Sequence, residues 1–270
     1  MPNKAVLLSV VLALSALTFA QPNQQQSTVG GVQPSNATCL FNFSSGSGQS
    51  LTTYCVTQNG NIAEFSANGT EFINSPGPAI EGFGMCDNTG SPLDYFDYAS
   101  SDSGNWNPAT ATLTGTTVVV KRTTTDGNWQ LTQTITDTKA STRAYGSARV
   151  TMAIKNLSKI ERFLVAFRYA QVNTPPIPFA DFDTTPTTAW ANTISAEGPG
   201  LSSTGAFIIS PTNTNSSVAR VFQTTTPPDP CGVNSFSTTF FEGTGGILQI
   251  YSLDIKPNAT RTISMTYKPI

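Results

Sequence analysis

Carboxylates at short spacings are the side chains of this sequence best suited to chemistry. Asp94 and Asp97 lie in an acidic stretch that continues to Asp102. A carboxylate pair can act as acid and base in glycoside hydrolysis at separations of about 5 Å or about 6.5–9.5 Å. Asp is also an ordinary turn former. The stretch is therefore compatible with a ligand-binding pair, a catalytic pair or a plain turn.

A second acidic pair, Asp181 and Asp183, is separated by one residue. Extended backbone would place both carboxylates on one side of the chain. The pair falls in the Pro-rich stretch 174–190, which predicts an irregular loop. Such a loop could bind calcium through carboxylate and carbonyl oxygens, although it lacks the Gly and the distant Glu of an EF-hand. Calcium is the one cofactor that the sequence suggests, and a solvated loop is the alternative.

Three tryptophans are present, and two of them fall in polar segments. Trp106 and Trp190 are expected in loops, where an exposed indole could stack on the face of a sugar. Trp129 opens a β-type run and is expected in the core. Packing at one end of the fold is the alternative for all three, because indole rings are mostly buried.

The sequence contains no histidine, and its formal net charge is −2. The missing imidazole excludes Ser-His-Asp and Cys-His catalysis and His-ligated zinc. Lys and Arg are scattered, mostly singly, whereas phosphate binding needs clustered cations. We therefore expect no nucleic-acid partner.

The first twenty residues are typical of a secretory leader. Lys4 precedes an apolar run over residues 5–17, and small residues stand at Thr18 and Ala20. The run is too short to span a bilayer, and no later run is long enough for a transmembrane helix. We expect cleavage after Ala20, a flexible linker over residues 21–38, and a secreted, periplasmic or cell-surface location.

The four cysteines are Cys39, Cys55, Cys86 and Cys231. In an exported chain an even number indicates disulfides. Metal binding is the rival interpretation, but no CxxC spacing is present. Of the three pairings, we favour Cys39–Cys55, because both lie in adjacent strand-like runs that could form a hairpin. Cys86–Cys231 would then connect the early and late parts of the chain.

Residues 39–270 predict strands throughout. Asp126-Gly127 separates two β-type runs, 116–124 and 129–136, which is a strong hairpin signal. In the second run apolar residues alternate with Gln and Thr, as in a strand exposed on one face. The pattern predicts about twelve to sixteen strands and no helix. The expected fold class is all-β: one large antiparallel β-sandwich domain of the supersandwich kind.

The segment 118–156 resembles β-sandwiches of the galactose-mutarotase type. There a strand of the form L-T-Q-T-I-T, here residues 131–136, leads to one of the form V-T-M-A-I-K-N-L-S, here residues 150–158. The resemblance implies a sandwich fold. It implies no catalytic residues, since mutarotases work with histidine and glutamate and this chain has no histidine.

Most of residues 51–268 resembles a group of secreted bacterial all-β proteins without a known activity. The shared features are Tyr54-Cys55-Val56-Thr57 with Asn59-Gly60-Asn61, Glu81-Gly82 with Gly84 and Cys86, Arg168-Tyr169-Ala170, Phe182-Asp183 with Ala189-Trp190, and Thr266-Tyr267-Lys268. The resemblance implies export and an all-β fold, and it implies no particular reaction.

Taken together, these features favour a secreted, non-catalytic β-sandwich that acts as a surface or matrix binding module. Its partner would be an extracellular glycan or a surface protein. One alternative is a glycan-active hydrolase or lyase that uses carboxylates. Another is an outer-membrane β-barrel, against which stand the four cysteines and the scarcity of strands with a fully apolar side.

Overall fold

A computed structural model describes residues 38–74, 81–99, 101–141, 144–172, 179–195, 202–211, 217–222, 226–235, 239–242 and 245–269. Within these ranges the chain forms nineteen strands and two short 3-10 turns, Gly48–Ser50 and Val233–Ser235. No helix in the described ranges has the length and apolarity needed to cross a bilayer. The expected leader, and the linker up to residue 37, lie outside the described residues and stay predictions.

The strands form three antiparallel sheets. The four-stranded sheet contains β1 (Cys39–Ser45), β2 (Thr52–Thr57), β3 (Ile62–Ala67) and β4 (Thr70–Asn74), in that order. The six-stranded sheet has the order β16 (Ser217–Phe222), β18 (Gly245–Ile255), β12 (Arg162–Val172), β5 (Glu81–Asp87), β6 (Leu93–Tyr98) and β7 (Ser101–Asp102).

The nine-stranded sheet completes the set. Its order is β17 (Phe240–Glu242), β13 (Phe179–Thr184), β14 (Ala189–Ser195), β15 (Ser202–Pro211), β19 (Thr260–Pro269), β11 (Ser147–Asn156), β10 (Trp129–Thr138), β9 (Thr117–Thr123) and β8 (Thr110–Thr114). The predicted Asp126-Gly127 hairpin is confirmed as β9–β10, with Gln130 opposite Thr123. The all-β sandwich prediction is confirmed, with more strands than expected.

One apolar core takes side chains from all three sheets. The nine-stranded sheet contributes alternate residues of β10 and β11, such as Leu131 and Met152, and the six-stranded sheet contributes Phe83 and Leu164. Tyr54 of the four-stranded sheet joins the same cluster. The period-two alternation read from the sequence therefore separates the core side of each strand from its outer side.

The six-stranded sheet is also covered on its other face. Val165, Phe167 and Leu248 form a second apolar cluster with Val233, which belongs to the segment 226–235. Glycine at position 84 leaves room for this packing, because a Cβ there would lie 2.3 Å from the Phe167 ring. Coverage on both faces explains why every residue from 164 to 172 is buried.

The structure contains two disulfides, Cys39–Cys55 and Cys86–Cys231, the pairing favoured from the sequence. Cys39–Cys55 joins the paired strands β1 and β2. Cys86–Cys231 attaches the segment 226–235 to β5, and the Tyr98 hydroxyl donates a hydrogen bond to the Pro228 carbonyl at 2.5 Å beside it. Both disulfides are compatible with an oxidising compartment.

The expectation of an irregular loop over residues 174–190 was wrong. Residues 179–184 form β13, which pairs antiparallel with β14, so that Asp183 faces Trp190 in the register. All four prolines of the stretch lie outside the two strands, the nearest being Pro178 and Pro186. No proline occupies a position within β13 or β14, in line with the missing backbone donor of proline.

Candidate functional site

Several residues that carried the sequence resemblance converge between the three sheets, in what we call the polar centre: Glu81, Arg168, Gln133, Tyr267 and Gly60. Arg168 Nε donates to Glu81 Oε1 at 2.7 Å, and a second guanidinium nitrogen also contacts that oxygen. Arg168 Nη1 donates to Gln133 Oε1 at 2.5 Å, and the Tyr267 hydroxyl donates to Glu81 Oε1 at 2.7 Å. The centre thus joins the six-stranded and nine-stranded sheets.

The turn between β2 and β3 closes the polar centre from the third side. The Gly60 carbonyl accepts from Arg168 at 3.3 Å, and the Ile62 amide donates to Glu81 Oε2 at 2.7 Å. Gly60 has φ +86°, and a Cβ at this position would lie 2.5 Å from Gln133 Nε2. Only glycine meets both demands, so the resemblance at this position has a packing reason.

The polar centre is closed to solvent. Arg168, Glu81 and Tyr267 are all 0% exposed. Burial raises the pKa of Tyr267 well above its usual value. Burial alone would lower the pKa of Arg168, but the Glu81 carboxylate and Tyr267 outweigh it, and the net shift is upward. A permanently charged, fully paired and inaccessible group holds sheets together and has no access to a ligand.

Asp97 belongs to a second closed cluster. It contacts Arg122, whose other nitrogen donates to Asp102 at 3.0 Å, and Asn59 Nδ2 donates to Asp97 at 2.8 Å. Asp97 is 0% exposed, and burial raises its pKa to about 7 although Arg122 acts in the opposite direction. The structure therefore gives Asp97 a packing role. The structure does not bring the two predicted ligand-binding carboxylates together, because Asp94 and Asp97 face opposite sides of β6.

Asp94 instead faces the segment 226–235 and meets Asp229 there. The Cys231 amide donates to one oxygen of each carboxyl group, at 3.0 Å in both cases. Burial, followed by the charge of Asp229, raises the pKa of Asp94 to about 7. Both residues are partly exposed. This carboxyl pair was missed in the sequence, because Asp229 stands between two prolines as an ordinary turn residue.

Trp106 corrects the expectation of an exposed indole. Its side chain is 7% exposed, its Nε1 donates to the Phe96 carbonyl at 3.2 Å, and the Phe83 ring meets it edge-on. The Arg122 guanidinium lies 5.2 Å from its ring centroid. The ring therefore has no free face for a sugar, in line with the packing alternative.

Trp190 and Asp181 are placed on strands β14 and β13, and their side chains lie outside the described part of the structure. Asp183 Oδ1 accepts from the Thr184 amide at 2.6 Å. The predicted calcium ligands Asp181 and Asp183 were expected on a loop, whereas the structure places both residues on a strand. Calcium binding by Asp181 and Asp183 and sugar stacking by Trp190 stay predictions.

Metal binding by the cysteines finds no support in the described residues. The two groups there with three possible ligand atoms in reach of one ion each contain a disulfide pair, with Glu64 in one and Asp94 in the other. Sulfur atoms joined to each other are not thiolates and do not serve as ordinary metal ligands.

The outer side of five strands of the nine-stranded sheet forms an open surface, which we call the Thr-rich face. In each strand it consists of the first residue and every second residue after it in the segments 110–114, 117–123, 130–136, 149–155 and 260–268. Twelve of its twenty residues are Thr, and none is acidic or aromatic. All except Ser264 are at least partly exposed. In the described strands this face is a continuous polar surface without a carboxylate.

Cross-strand register arranges the face in rows. Thr134 lies opposite Val119 on one side and Thr151 on the other, and Thr151 lies opposite Ser264. Among the hydroxyls of the face, Thr151 and Ser264 bond to each other at 2.9 Å, and Thr117 and Thr136 at 3.3 Å. A hydroxyl both donates and accepts, so the face offers hydrogen bonds of both kinds to a polyhydroxy ligand.

Comparison with known proteins finds a similar fold among solved structures and no match in sequence. No family model matches the sequence, and no curated protein is similar to it. The chain is similar in structure to a bacterial glucoamylase solved in complex with acarbose, with a TM-score of 0.54 and 10% identity over 89% of this chain and 34% of that one. The chain therefore spans about a third of the glucoamylase length.

Two further solved structures are less similar. A putative aldose 1-epimerase from Escherichia coli K12 gives a TM-score of 0.47 and 10% identity over 89% of this chain and 99% of that one. A mutant heparan sulfate lyase from Pedobacter heparinus gives a TM-score of 0.49 and 13% identity over 88% of this chain and 36% of that one. At 10% identity, the likeness to the glucoamylase indicates a shared fold and no activity.

Proposed function

We propose that this protein is a secreted, non-catalytic β-sandwich that binds glycans through the Thr-rich face. The carrying observation is the contrast in exposure: the ion pairs of Glu81, Asp97 and Arg168 are buried, whereas the Thr-rich face is open. Hydroxyl, amide and cationic side chains on a rigid sheet suit a polyhydroxy ligand, because strands hold their side chains in fixed positions.

The disulfides and the fold support this proposal. Two disulfides stabilise an exported domain outside the reducing cytosol. The glucoamylase with the same kind of sandwich was solved with acarbose bound, which makes a carbohydrate partner a reasonable first choice. Fold likeness alone does not transfer an activity, so the main support for glycan binding is the Thr-rich face itself.

The test is a glycan-array experiment with the full chain, followed by titration of the best ligand. Thr132→Ala combined with Thr134→Ala removes two hydroxyls from the middle of the face and should weaken binding about tenfold, since each lost hydrogen bond contributes about 0.5–1.5 kcal/mol. Thr187→Ala, on an exposed turn residue, is the matched control and should leave the affinity unchanged. Equal affinities for all three proteins would refute the placement.

A carboxylate-dependent glycan hydrolase or lyase is the second candidate, and Asp94 with Asp229 favours it. An acid with a pKa of about 7 beside a second carboxyl group is suited to proton transfer near neutral pH. Sugar release from a polysaccharide that disappears in both Asp94→Asn and Asp229→Asn would establish this alternative and overturn the non-catalytic proposal. Binding without release by the unchanged protein supports the proposal.

A further inference from the structure

We infer that the ligand of the Thr-rich face is an anionic polysaccharide carrying uronate or sulfate groups. This inference rests on the proposed function and names its ligand class. Four cations lie on the face, Lys121, Arg149, Lys155 and Lys268, in a chain whose formal net charge is −2. A surface that gathers cations and excludes carboxylates attracts anions.

The four cations have no ion-pair partner among the described residues. The salt bridges found there are made by Arg122, Lys139, Arg162 and Arg168, and each has a carboxylate beside it. Lys121 and Arg149 are exposed, and Lys155 and Lys268 are partly exposed. Their charge is therefore available to a ligand rather than neutralised within the sheet.

Register sets the spacing of the cations. Lys121 lies opposite Thr132, and Lys155 lies opposite Gln130. These two rows are neighbours, and both lie on the same side of the row through Thr134. Arg149, opposite Thr136, lies on the other side. Lys155 and Arg149 are six residues apart on one strand, which is about 20 Å. One small anion cannot reach both, whereas successive charges on an extended polymer can.

The remaining side chains of the face favour a polysaccharide over a nucleic acid. Single-stranded nucleic acids bind by stacking their bases on aromatic rings. The face carries no aromatic residue but offers a central row of hydroxyls between the cations. Sugar hydroxyls would meet this row, and the carboxylates or sulfates would meet the lysines and Arg149.

Apart from the buried Asp137 on β10, the acidic residues on the strands of the same sheet lie at its far end. Asp183 and Trp190 are in the cross-strand row that continues through Ile208 to Lys268, and Asp181 pairs with Glu242 on β17. Strand β13 is three strand spacings from β19, which is about 14 Å. An anionic polymer would therefore occupy the basic half and stop short of β13.

Dextran and dextran sulfate provide the sharpest test, because they share a backbone and differ in charge. Affinity electrophoresis of the full chain should show binding to dextran sulfate and polygalacturonate, no binding to dextran, and weakening by added salt. Lys121→Gln combined with Lys155→Gln should reduce the affinity about tenfold. The control Lys159→Gln with Lys256→Gln changes two exposed lysines off the face and should stay within about twofold.

The outcomes separate this inference from the proposed function. Equal binding of dextran and dextran sulfate, lost in the Thr132→Ala and Thr134→Ala variant, overturns the anionic class and leaves glycan binding in place. No binding to any glycan overturns both. Equal loss in the control variant, or equally tight binding of single-stranded DNA, also overturns the inference. If the double variant fails to fold, Lys121→Gln alone repeats the test with one exposed side chain.

Discussion

The polar centre and the Thr-rich face meet at β10 and β19, where Gln133 and Tyr267 point inward and the face points outward, and the two regions use polar side chains in opposite ways. In the polar centre Arg168, Glu81 and Tyr267 are fully buried and satisfied by one another. On the Thr-rich face the cations are exposed or partly exposed and lack ion-pair partners among the described residues. The residues with the most distinctive sequence pattern therefore build the fold, while the threonines and cations of the Thr-rich face form the proposed contact surface.

The largest expected effect comes from breaking the polar centre. Arg168→Met leaves the Glu81 carboxylate buried without its partner, which should lower the free energy of unfolding by about 3–5 kcal/mol. The matched change on the face, Arg149→Met, should stay within about 0.5 kcal/mol. Urea denaturation of both variants measures the difference. Similar losses in the two variants would show that the contrast in burial has no energetic meaning.

Replacing both Glu81 and Arg168 tests whether the loss in Arg168→Met comes from the unpaired buried carboxylate. Glu81→Leu combined with Arg168→Met removes the uncompensated charge and should recover most of the stability lost in Arg168→Met. Urea denaturation again measures the stability. If the double variant recovers none of it, the buried ion pair stabilises the fold more than apolar side chains do in the same places.

The second effect concerns the cover over the six-stranded sheet. Cys86→Ser with Cys231→Ser should lower the free energy of unfolding by about 2–5 kcal/mol and expose the apolar surface around Phe167 and Val233 to a hydrophobic dye. The control, Cys39→Ser with Cys55→Ser, opens a much shorter loop, with 16 rather than 145 residues of separation. In the chain-entropy model this control should lose less free energy of unfolding than the Cys86→Ser and Cys231→Ser variant. A larger loss in the control would contradict this ranking.

The third effect depends on pH. The pKa of Asp94 is raised to about 7 by burial and by Asp229, so the folded protein holds a proton that the unfolded chain releases near pH 4. The stabilisation is complete below about pH 4 and is lost as pH rises through about 7. The melting temperature of the unchanged protein should therefore fall as pH rises from about 4 to about 7. The melting temperature of Asp94→Asn should fall less over the same range.

Asp97 contributes to the same pH range, since burial also raises its pKa to about 7. Asp94→Asn should therefore reduce the pH dependence without abolishing it. The exposed residue change Asp254→Asn is the control and should leave the slope as it is. A melting temperature that rises between pH 5 and pH 8 would contradict the protonated pair at Asp94 and Asp229.

The smallest expected effect on stability is on the Thr-rich face. Lys155→Gln should change the free energy of unfolding by less than about 0.5 kcal/mol, because the side chain is partly exposed and makes no ion pair in the described structure. Its effect should appear in binding to dextran sulfate instead. A destabilisation comparable to that of Arg168→Met would show that the face is part of the packed structure.

Much of the fold could be read from the sequence, and the reasons are local. Asp126-Gly127 and the alternation after it predicted the β9–β10 hairpin, and two adjacent β-type runs predicted the Cys39–Cys55 pair. The hairpin at β13 and β14 was missed because the prolines of the stretch, such as Pro186 in the turn between the two strands, were taken to exclude strands throughout.

The candidate sites depended on long-range pairing, which spacing along the chain does not reveal. Asp94 meets Asp229 only because Cys86–Cys231 brings the segment 226–235 onto β5. Threonine at alternate positions marks the outer side of a single strand. The Thr-rich face exists because β19, from the end of the chain, pairs with β11 and continues the hydroxyl rows.

The central claim is that ligand contact occurs on the open face and away from the polar centre. The most direct measurement is a map of backbone amide shifts of the 15N-labelled protein during titration with polygalacturonate. The account predicts shifts in β9, β10, β11 and β19, centred on Thr134 and Thr151, and none at Glu81 or in the segment 226–235. Shifts that concentrate around Asp94 and Asp229 instead would contradict it.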